Sequence, residues 1–486
     1  MDELIDIIAF LSERERQRFI QFQQTRNQRG DTKNTELFRL LCKKSYANLD
    51  TIIYGKPAKN SLYALTKRLK DSLIEFVAIR NFEEESSEEM YILRGLLAAR
   101  VFFEQRLFSL AIKTLRKAEK EAATLDAYAL LCEIYHTKVQ YLNHYPFETY
   151  NNTITTYRKY VLALQQEHQI NMLCAQVAMV SEEHDVAPFA WLQKERQLKF
   201  DETITYKGYF LMLKQVYRVG EKNRQFNEAH HWITTFFSAV NRKKESITKH
   251  RYYYSRILLL VAISHFRNKT FETSLSLLSQ LEEVLKTMLL PGSQNLRQQL
   301  QQYRALNYLY SGAIEKSVAV LSEIDKSTPE AMLIRVLVFF QQEQFEKAYR
   351  ELLQLNRPRT YYLKIFGSAW VLQKELMEIL LLMEKDLLDP LASRLKSFRR
   401  KHRNTLKIMG ESRAFVFLSL AEKWYDNPSI ATSEEFLQKI EGSFEWRSLE
   451  EEDLFAISFY AWLKSKTLQQ PIYQTTLELI QGDATH

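Results

Sequence analysis

Glycine and proline are scarce in this chain of 486 residues, which contains only 11 glycines and 9 prolines. Average usage is about 7% for glycine and about 5% for proline. The shortage removes the residues that β-turns and flexible linkers require. It also leaves little material for the glycine-rich loops that bind phosphate groups in nucleotide-binding enzymes. Leucine, glutamine, glutamate, lysine and alanine are plentiful instead, and because all are good helix formers we predict an all-α fold.

Cysteine is scarce as well. The three cysteines, Cys42, Cys132 and Cys174, are widely separated and have neither metal-ligand nor disulfide spacing. Such usage is typical of the reducing cytosol, so we expect small buried cysteines in a cytoplasmic protein. The acidic first residues lack the basic region of a signal peptide, and no apolar run approaches about 18 residues. We therefore expect neither secretion nor a transmembrane segment.

Catalytic and cofactor motifs are missing from the sequence. It contains no Gly-x-Gly-x-x-Gly, no Gly-x-x-x-x-Gly-Lys, no Gly-x-Ser-x-Gly and no His-Glu-x-x-His. Cys132 and His136 share a helical face, but two ligands without a second pair are a weak metal signal. His230 and His231 point about 100° apart on a helix, and the polar cluster at 182–185 fits a solvated turn better than a metal site. We predict no enzymatic activity, no metal and no cofactor.

A short apolar signature, aromatic-x-x-Ala/Ser-aliphatic-x-x-aliphatic, recurs along the chain. Its spacing places these side chains on one face of a helix, and the small residue allows a partner helix to approach closely. Looser copies start at Phe226 and Ile314. Five copies, each preceded by another amphipathic segment, predict stacked helical hairpins. The clearest copies are Phe108, Ala111, Ile112 and Leu115; Phe271, Ser274, Leu275 and Leu278; and Phe345, Ala348, Tyr349 and Leu352.

The hairpins are predicted to fill residues 88–358. The anchors Phe226, Phe271, Ile314 and Phe345 are separated by 45, 43 and 31 residues, so the repeat is degenerate and its helices are unequal in length. We assign 359–486 to continued hairpins and a C-terminal cap, because a terminal repeat needs a polar outer face. The predicted pairs are 91–104 with 108–123, 128–145 with 147–168, an irregular pair within 171–200, 205–223 with 226–240, 250–268 with 271–288, 296–310 with 314–324, and 331–341 with 345–355.

Residues 1–82 have a different pattern and predict a small N-terminal helical domain. Helices are indicated at 2–24, 35–44 and 59–80, with Ser12 and Glu15 resembling a capping box. The acidic stretch 83–89 fits a junction, because clustered like charges favour solvent, and it fits equally well as the acidic first turn of the next helix.

The hairpins resemble tetratricopeptide repeats, whose second helix carries an aromatic, a small residue and aliphatics at these offsets. The best match is 345–352 and the next is 108–112, whereas the Trp-x-x-Leu-Gly-x-x-Tyr pattern of the first helix is largely missing. The resemblance implies a right-handed α-α solenoid that binds a protein or peptide on its concave surface, which the first helices line. By that analogy the partner-binding candidates are Tyr209, Lys214, Arg218, Tyr252, Arg256, Arg304, Asn307, Tyr308 and Arg335.

Positive charge concentrates in a basic patch formed by Arg399, Arg400, Lys401 and Arg403. The net charge of +8 is moderate for this length and does not identify a partner. At a helix end the patch would complement the helix dipole. An acidic peptide, a membrane surface and a nucleic-acid backbone remain alternative partners for it.

A second basic segment follows a short predicted helix and a turn that contains Gly55. This order is compatible with a helix-turn-helix whose second helix begins near Asn60. The basic helix is also explained as a packed helix with a solvated face. In the helix-turn-helix reading, Lys59, Asn60, Ser61 and Tyr63 would face bases, and Lys67 and Arg68 would contact phosphates.

The sequence therefore favours a non-catalytic scaffold or adaptor that binds a protein or peptide. The alternative is a DNA-binding regulator, with residues 1–82 as the reader and the solenoid as a sensor of ligand or partner. Nucleic acid is the less favoured partner, and an enzyme is the least favoured class.

Overall fold

The computed structural model describes residues 4–5, 7–8, 11, 13–26, 32–42, 48–84, 88–145, 150–180, 204–223, 225–243, 250–286, 293–324, 328–408, 413–443 and 452–482. Every regular element in these ranges is helical, with 22 α-helices and two short 3-10 helices, so the predicted all-α class is confirmed for them. The chain divides into two compact units, Met1–Val101 and Phe102–His486.

The first unit is built around one long helix. It contains α1 (Glu13–Arg26), α2 (Thr32–Cys42), α3 (Leu49–Tyr54), α4 (Lys59–Glu84) and most of α5 (Glu88–Glu104). Helices α1, α2 and α3 all pack against α4. Leu65, Leu69 and Leu73 of α4 recur at four-residue spacing and are fully buried, because that spacing keeps them on one helical face. Phe19 and Phe38 join the same core, with ring centroids 4.7 Å apart.

The second unit continues from the end of α5, and its short 3-10 helices are Leu142–His144 and Pro428–Thr432. Its α-helices are α6 (Phe108–Thr124), α7 (Tyr128–Gln140), α8 (Tyr150–Val180), α9 (Tyr206–Asn223), α10 (Phe226–Arg242), α11 (Arg251–Arg267), α12 (Phe271–Lys286), α13 (Ser293–Tyr310), α14 (Ile314–Glu323), α15 (Pro329–Gln341), α16 (Phe345–Leu353), α17 (Arg359–Glu384), α18 (Leu388–Ile408), α19 (Arg413–Asp426), α20 (Glu434–Ser443), α21 (Leu454–Leu468) and α22 (Ile472–Gln481).

Consecutive helices of the second unit pack as hairpin-like pairs. Helix α9 packs on α10, α11 on α12, α13 on α14, and α15 on α16. These helices match the last four of the seven predicted pairs within three residues at every boundary. The first helix of each pair also contacts the first helix of the next, α9 with α11, α11 with α13, and α13 with α15. This contact pattern is compatible with a helical repeat.

The tight turns between paired helices share one backbone geometry. In seven described turns a residue with positive φ is followed by a residue whose N–H bonds to the carbonyl five residues earlier, at 2.8–3.2 Å. This is the hydrogen bond of a Schellman-type helix end, which usually employs glycine. Only one of the seven is glycine, although a side chain in this conformation costs about 1 kcal/mol. The positive-φ residues are Arg106, Asp126, Lys269, Gly312, Glu343, Asp386 and Gln469.

The small residue of the apolar signature lies where paired helices meet. Ser274 Oγ donates a hydrogen bond to the carbonyl of Ala262 at 2.8 Å, and Ser317 Oγ donates in the same way to Ala305 at 2.8 Å. Both bonds join the second helix of a pair to the first. The fully buried small residues of the signature are Ala111, Ser274, Ser317 and Ala348.

Helix α21 is buried on all of its sides. Residues 457–465 are buried without interruption. The Tyr310 hydroxyl at the end of α13 lies 3.0 Å from Ser458 Oγ. The indole N–H of Trp462 donates to Glu384 at the end of α17. A helix that is apolar all round belongs in a core, and α21 packs against the ends of earlier helices.

Helix α22 packs beside α21. The Thr476 hydroxyl donates to Gln341 of α15 at 3.0 Å, and the N–H of Ile472 donates to Glu343 at 2.9 Å. Helix α22 therefore contacts the hairpin formed by α15 and α16.

The described residues also test the expectations about the cysteines, membrane-spanning helices and metal ligands. The three cysteines form no disulfide and are half-buried, not buried as predicted, and burial raises the pKa of Cys174 to about 11. None of the described helices combines the length and apolarity needed to cross a bilayer. In the same ranges no three His, Cys, Asp or Glu side chains group as metal ligands. The predicted cap at Ser12 and the cluster at 182–185 lie outside the described residues.

Candidate functional site

Two of the nine partner-binding candidates lie in the core of the second unit. Tyr209 of α9 is fully buried among apolar side chains. Asn307 of α13 is also fully buried, and its amide donates to Ser274 Oγ at 3.0 Å and to the carbonyl of Tyr303 at 2.7 Å. Both side chains therefore contribute to packing between helices and do not face solvent.

Two arginines among the candidates form ion pairs within their own chain. Arg304 donates through both terminal nitrogens to Glu282, at 2.9 and 3.3 Å, and this hydrogen bonding lowers the pKa of the Glu282 carboxyl. Arg335 is buried, and its Nε donates to Glu351 at 2.6 Å. Each ion pair joins two neighbouring helices, α13 to α12 for Arg304 and α15 to α16 for Arg335. The charge of each arginine is therefore balanced inside the fold.

The remaining five candidates lie at or near the surface. The Arg256 guanidinium lies 4.5 Å from the ring centroid of Tyr252 and donates to its hydroxyl. Lys214 and Arg218 are exposed, and Tyr308 is half-buried. None of the nine candidates lines the pocket described below.

The basic patch is exposed, but it does not lie at the end of its helix. Helix α18 continues beyond the patch to Ile408, so the patch precedes the last turn and does not lie at a helix end as expected. Arg399 pairs with Glu422 of α19, and the other three members of the patch are exposed.

His402, within the same basic run, faces the interior. Its Nε2 lies 2.6 Å from Glu375 Oε2, and Arg359 Nε donates to Oε1 of the same carboxylate at 3.0 Å. Burial alone would raise the pKa of Glu375, but the hydrogen bond with His402 and the charge of Arg359 outweigh burial and lower it. This buried cluster joins α17 to α18 and gives His402 a structural role.

A pocket of about 390 Å³ lies in the second unit, where the ends of α9 and α11 meet α17, α19 and α21. Helix α17 is interrupted at Gly367, whose φ of 82° suits glycine, and the next two residues, Ser368 and Ala369, line the pocket. Ala369 is exposed at its rim. The large apolar side chains of the lining are Phe226, Leu372, Leu376, Phe417, Phe455 and Phe459.

Arg267 forms one charged side of this pocket. It donates to Asp453 and lies 3.6 Å from Glu221. Burial opposes the charge of the guanidinium, but the two carboxylates outweigh burial and hold the Arg267 pKa well above its usual value. Tyr217 donates to the same Glu221 at 2.8 Å.

A second ion pair lies next to the first, because Glu452 directly precedes Asp453 in the chain. The two terminal nitrogens of Arg413 donate to the two carboxylate oxygens of Glu452 at 2.7 and 2.8 Å. The N–H of Asp453 donates to the same carboxylate at 3.1 Å. With Lys222 the lining holds three cations, and with Glu221 it holds three carboxylates, so its formal charges cancel. The pocket therefore suits an uncharged, apolar group near polar partners.

Sequence reasoning did not identify this pocket, because its walls are far apart along the chain. Arg267 and Asp453 are separated by 186 residues. The one local signal was the apolar character of 454–463, which places α21 in a core.

The polar residues of the proposed helix-turn-helix lie together on the first unit. Lys59, Asn60, Ser61, Lys67 and Arg68 are all exposed on the first three turns of α4, and Tyr63 among them is 76% exposed. At about 100° per residue, Asn60, Tyr63 and Lys67 lie opposite the buried leucines of α4, whereas Lys59, Ser61 and Arg68 lie on the two flanks. All six face solvent, and we call the surface that they form the α4 surface.

The turn before α4 is held by Asp50. Its carboxylate accepts hydrogen bonds from the N–H of Ala58 at 3.1 Å and the N–H of Thr51 at 2.9 Å, and these bonds lower its pKa. Gly55 ends α3 with a φ of 70°, where it adopts the left-handed conformation of a helix C-cap. Helices α3 and α4 are therefore joined by a short hydrogen-bonded turn and pack against each other.

No family model, curated protein or solved structure matches this chain. Two surfaces of the described residues suit a ligand. They are the pocket lined by Phe226, Phe417, Phe455 and Phe459, which we call the aromatic pocket, and the α4 surface.

Proposed function

We propose that this protein is a non-catalytic cytoplasmic scaffold, built as a right-handed solenoid of tetratricopeptide-like hairpins, that binds a protein or peptide partner. The contacts between successive first helices and the recurring turns support a repeat architecture. The scarcity of catalytic motifs in the sequence supports a binding role over chemistry.

The observation that carries the proposal is the aromatic pocket. Protein interfaces gain most of their energy from a few large side chains that enter well-packed pockets. Three phenylalanines, Phe417, Phe455 and Phe459, can enclose one such anchor, and the adjacent carboxylates and guanidinium groups can bond a peptide backbone. The balanced charge of the lining favours an aromatic or large aliphatic anchor over a charged one.

The test is to fill the pocket from its rim. A phage-displayed random peptide library is selected on the intact chain, and a selected peptide is then titrated by fluorescence anisotropy. We expect selected peptides to share an aromatic or large aliphatic residue. Ala369→Trp should weaken their binding by about tenfold or more, which corresponds to about 1.4 kcal/mol.

The matched control is Ala319→Trp, because Ala319 is also an exposed helical alanine but does not line the pocket. It should leave peptide affinity unchanged within about twofold. Equal binding by the wild type and the Ala369→Trp variant would place the peptide elsewhere and remove the pocket from the proposal.

A second candidate function, a DNA-binding regulator, is favoured by the α4 surface. A helix that follows a tight turn and exposes basic and amide side chains over its first turns suits insertion into a major groove. Lys67 and Arg68 would contact phosphates, while Asn60 and Tyr63 would lie closer to bases.

Salt dependence distinguishes this function from the scaffold. The intact chain is titrated into a pool of fluorescent random-sequence duplex DNA at several salt concentrations. If the α4 surface binds DNA, the double variant Lys67→Glu/Arg68→Glu should weaken binding by at least about tenfold and reduce the slope of log affinity against log salt by about 2. The charge-matched control Lys316→Glu/Lys347→Glu changes two exposed lysines of the second unit and should have a much smaller effect. Equal losses in both double variants would indicate non-specific attraction to net charge.

A further inference from the structure

A polar pocket of about 510 Å³, separate from the aromatic one, lies among α6, α7 and α8. Its charged lining consists of Arg116, Lys120 and Lys138 with one carboxylate, Glu119. Three positive charges and one negative charge leave a formal charge of +2. Tyr160 also lines this space.

Lys138 is held in place as a buried cation. Its side chain is 4% exposed, and its Nζ lies 3.0 Å from Glu119 Oε2 and 4.6 Å from the ring centroid of Tyr135. The Tyr135 hydroxyl donates to the other oxygen of Glu119 at 2.6 Å. A cation fixed in this way loses little conformational freedom when an anion binds.

Arg116 and Lys120 supply the other two positive charges of the pocket lining. Both are exposed, and they lie one helical turn apart on α6, so they share a face. The Tyr160 hydroxyl is protonated at neutral pH and can donate a hydrogen bond; burial, together with the charges of Glu119 and Asp126, raises its pKa further.

From this arrangement we propose that the pocket binds a small phosphorylated polyol, with Arg116, Lys120 and Lys138 around the phosphate. A phosphomonoester carries about −1.5 to −2 charge at neutral pH, which matches the formal charge of the lining. The guanidinium of Arg116 can bond two phosphate oxygens at once. The pocket is larger than a phosphate group, and the side chains of Asn152 and Thr156 in its wall suit the hydroxyl groups of a polyol.

The experiment compares three probes by isothermal titration calorimetry on the intact chain: glucose 6-phosphate, glucose and inorganic phosphate. We expect glucose 6-phosphate to bind at least about tenfold more tightly than glucose, and inorganic phosphate to compete with it. Arg116→Gln/Lys120→Gln should weaken glucose 6-phosphate binding by at least about tenfold, because two charge-assisted contacts are lost. Both residues are exposed, and far-UV circular dichroism verifies that the variant is folded.

The matched control is Lys113→Gln/Lys117→Gln, which removes the same charge from the same helix at exposed positions outside the pocket lining. It should change the affinity by less than about twofold. Glucose 6-phosphate that binds no better than glucose would overturn the proposal. The proposal would also be overturned by equal losses in the two double variants, since attraction to α6 as a whole would then explain the binding.

Discussion

Replacing Trp462 with alanine is expected to lower the free energy of unfolding of the second unit by about 4 kcal/mol. Trp462 is fully buried in α21. Its ring contacts Trp424 edge to face, with centroids 5.3 Å apart, and Phe417 at 6.2 Å. The substitution removes this apolar contact area and leaves a cavity in the core. It also removes the indole N–H that donates to Glu384.

Chemical denaturation followed by tryptophan fluorescence measures this loss in the second unit, which contains Trp462. All six tryptophans of the chain lie after residue 190, so their fluorescence reports only on the second unit. Leu468→Ala is the matched control, because Leu468 ends the same helix and is 39% exposed. It should change the free energy of unfolding by less than about 1 kcal/mol. A Trp462→Ala variant as stable as this control would contradict the burial of Trp462 in the core.

Helical periodicity predicted the hairpins because the residues that define each packing face lie within a few positions of one another in the sequence. The spacing of Phe271, Ser274 and Leu278 defines one face of α12, and that face is the one that packs. The turns were less predictable. Residues such as Arg106 and Glu343 adopt positive φ values there, although the usual sequence signal is glycine. Packing of the flanking helices, and not the preference of the turn residue, fixes that conformation.

The basic run shows how an available signal was missed. Phe398 and His402 are four residues apart, so on α18 they share a face, and both are buried. The arginines on either side of His402 therefore point outward while His402 faces Glu375. Reading the run as a linear cluster of charges obscured this division.

The partner-binding candidates show that a single sequence does not reveal which helix faces are exposed. The analogy with tetratricopeptide repeats predicts which helices line the concave surface, but it does not predict which face of each helix is exposed. Tyr209 and Asn307 lie on buried faces. The aromatic pocket requires α9, α17 and α21 to meet, which depends on how the repeats stack over more than two hundred residues. The α4 surface was predictable because its residues occupy a single helix.

Replacing Glu452 with alanine is expected to cost about 3 kcal/mol of unfolding free energy. The Glu452 side chain is 1% exposed and binds both terminal nitrogens of Arg413, whose side chain is 16% exposed. Removing one member of a buried ion pair typically costs about 3–5 kcal/mol, because the remaining charge stays desolvated without its partner. The partial exposure of Arg413 places the expected cost at the lower end of that range. The same denaturation measurement detects it.

The double variant Arg413→Met/Glu452→Leu separates the two possible reasons for such a loss. If the cost arises from an uncompensated charge, replacing both partners with apolar residues of similar size should recover stability to within about 1 kcal/mol of the wild type. If Glu452 is needed mainly to bond the N–H of Asp453 at the start of α21, the double variant should remain as unstable as Glu452→Ala. A single variant that loses less than about 1 kcal/mol would instead indicate that solvent already reaches the pair, as it does at a surface ion pair. The charged wall of the aromatic pocket would then be flexible, and a peptide backbone bound there would gain little from the Arg413–Glu452 pair.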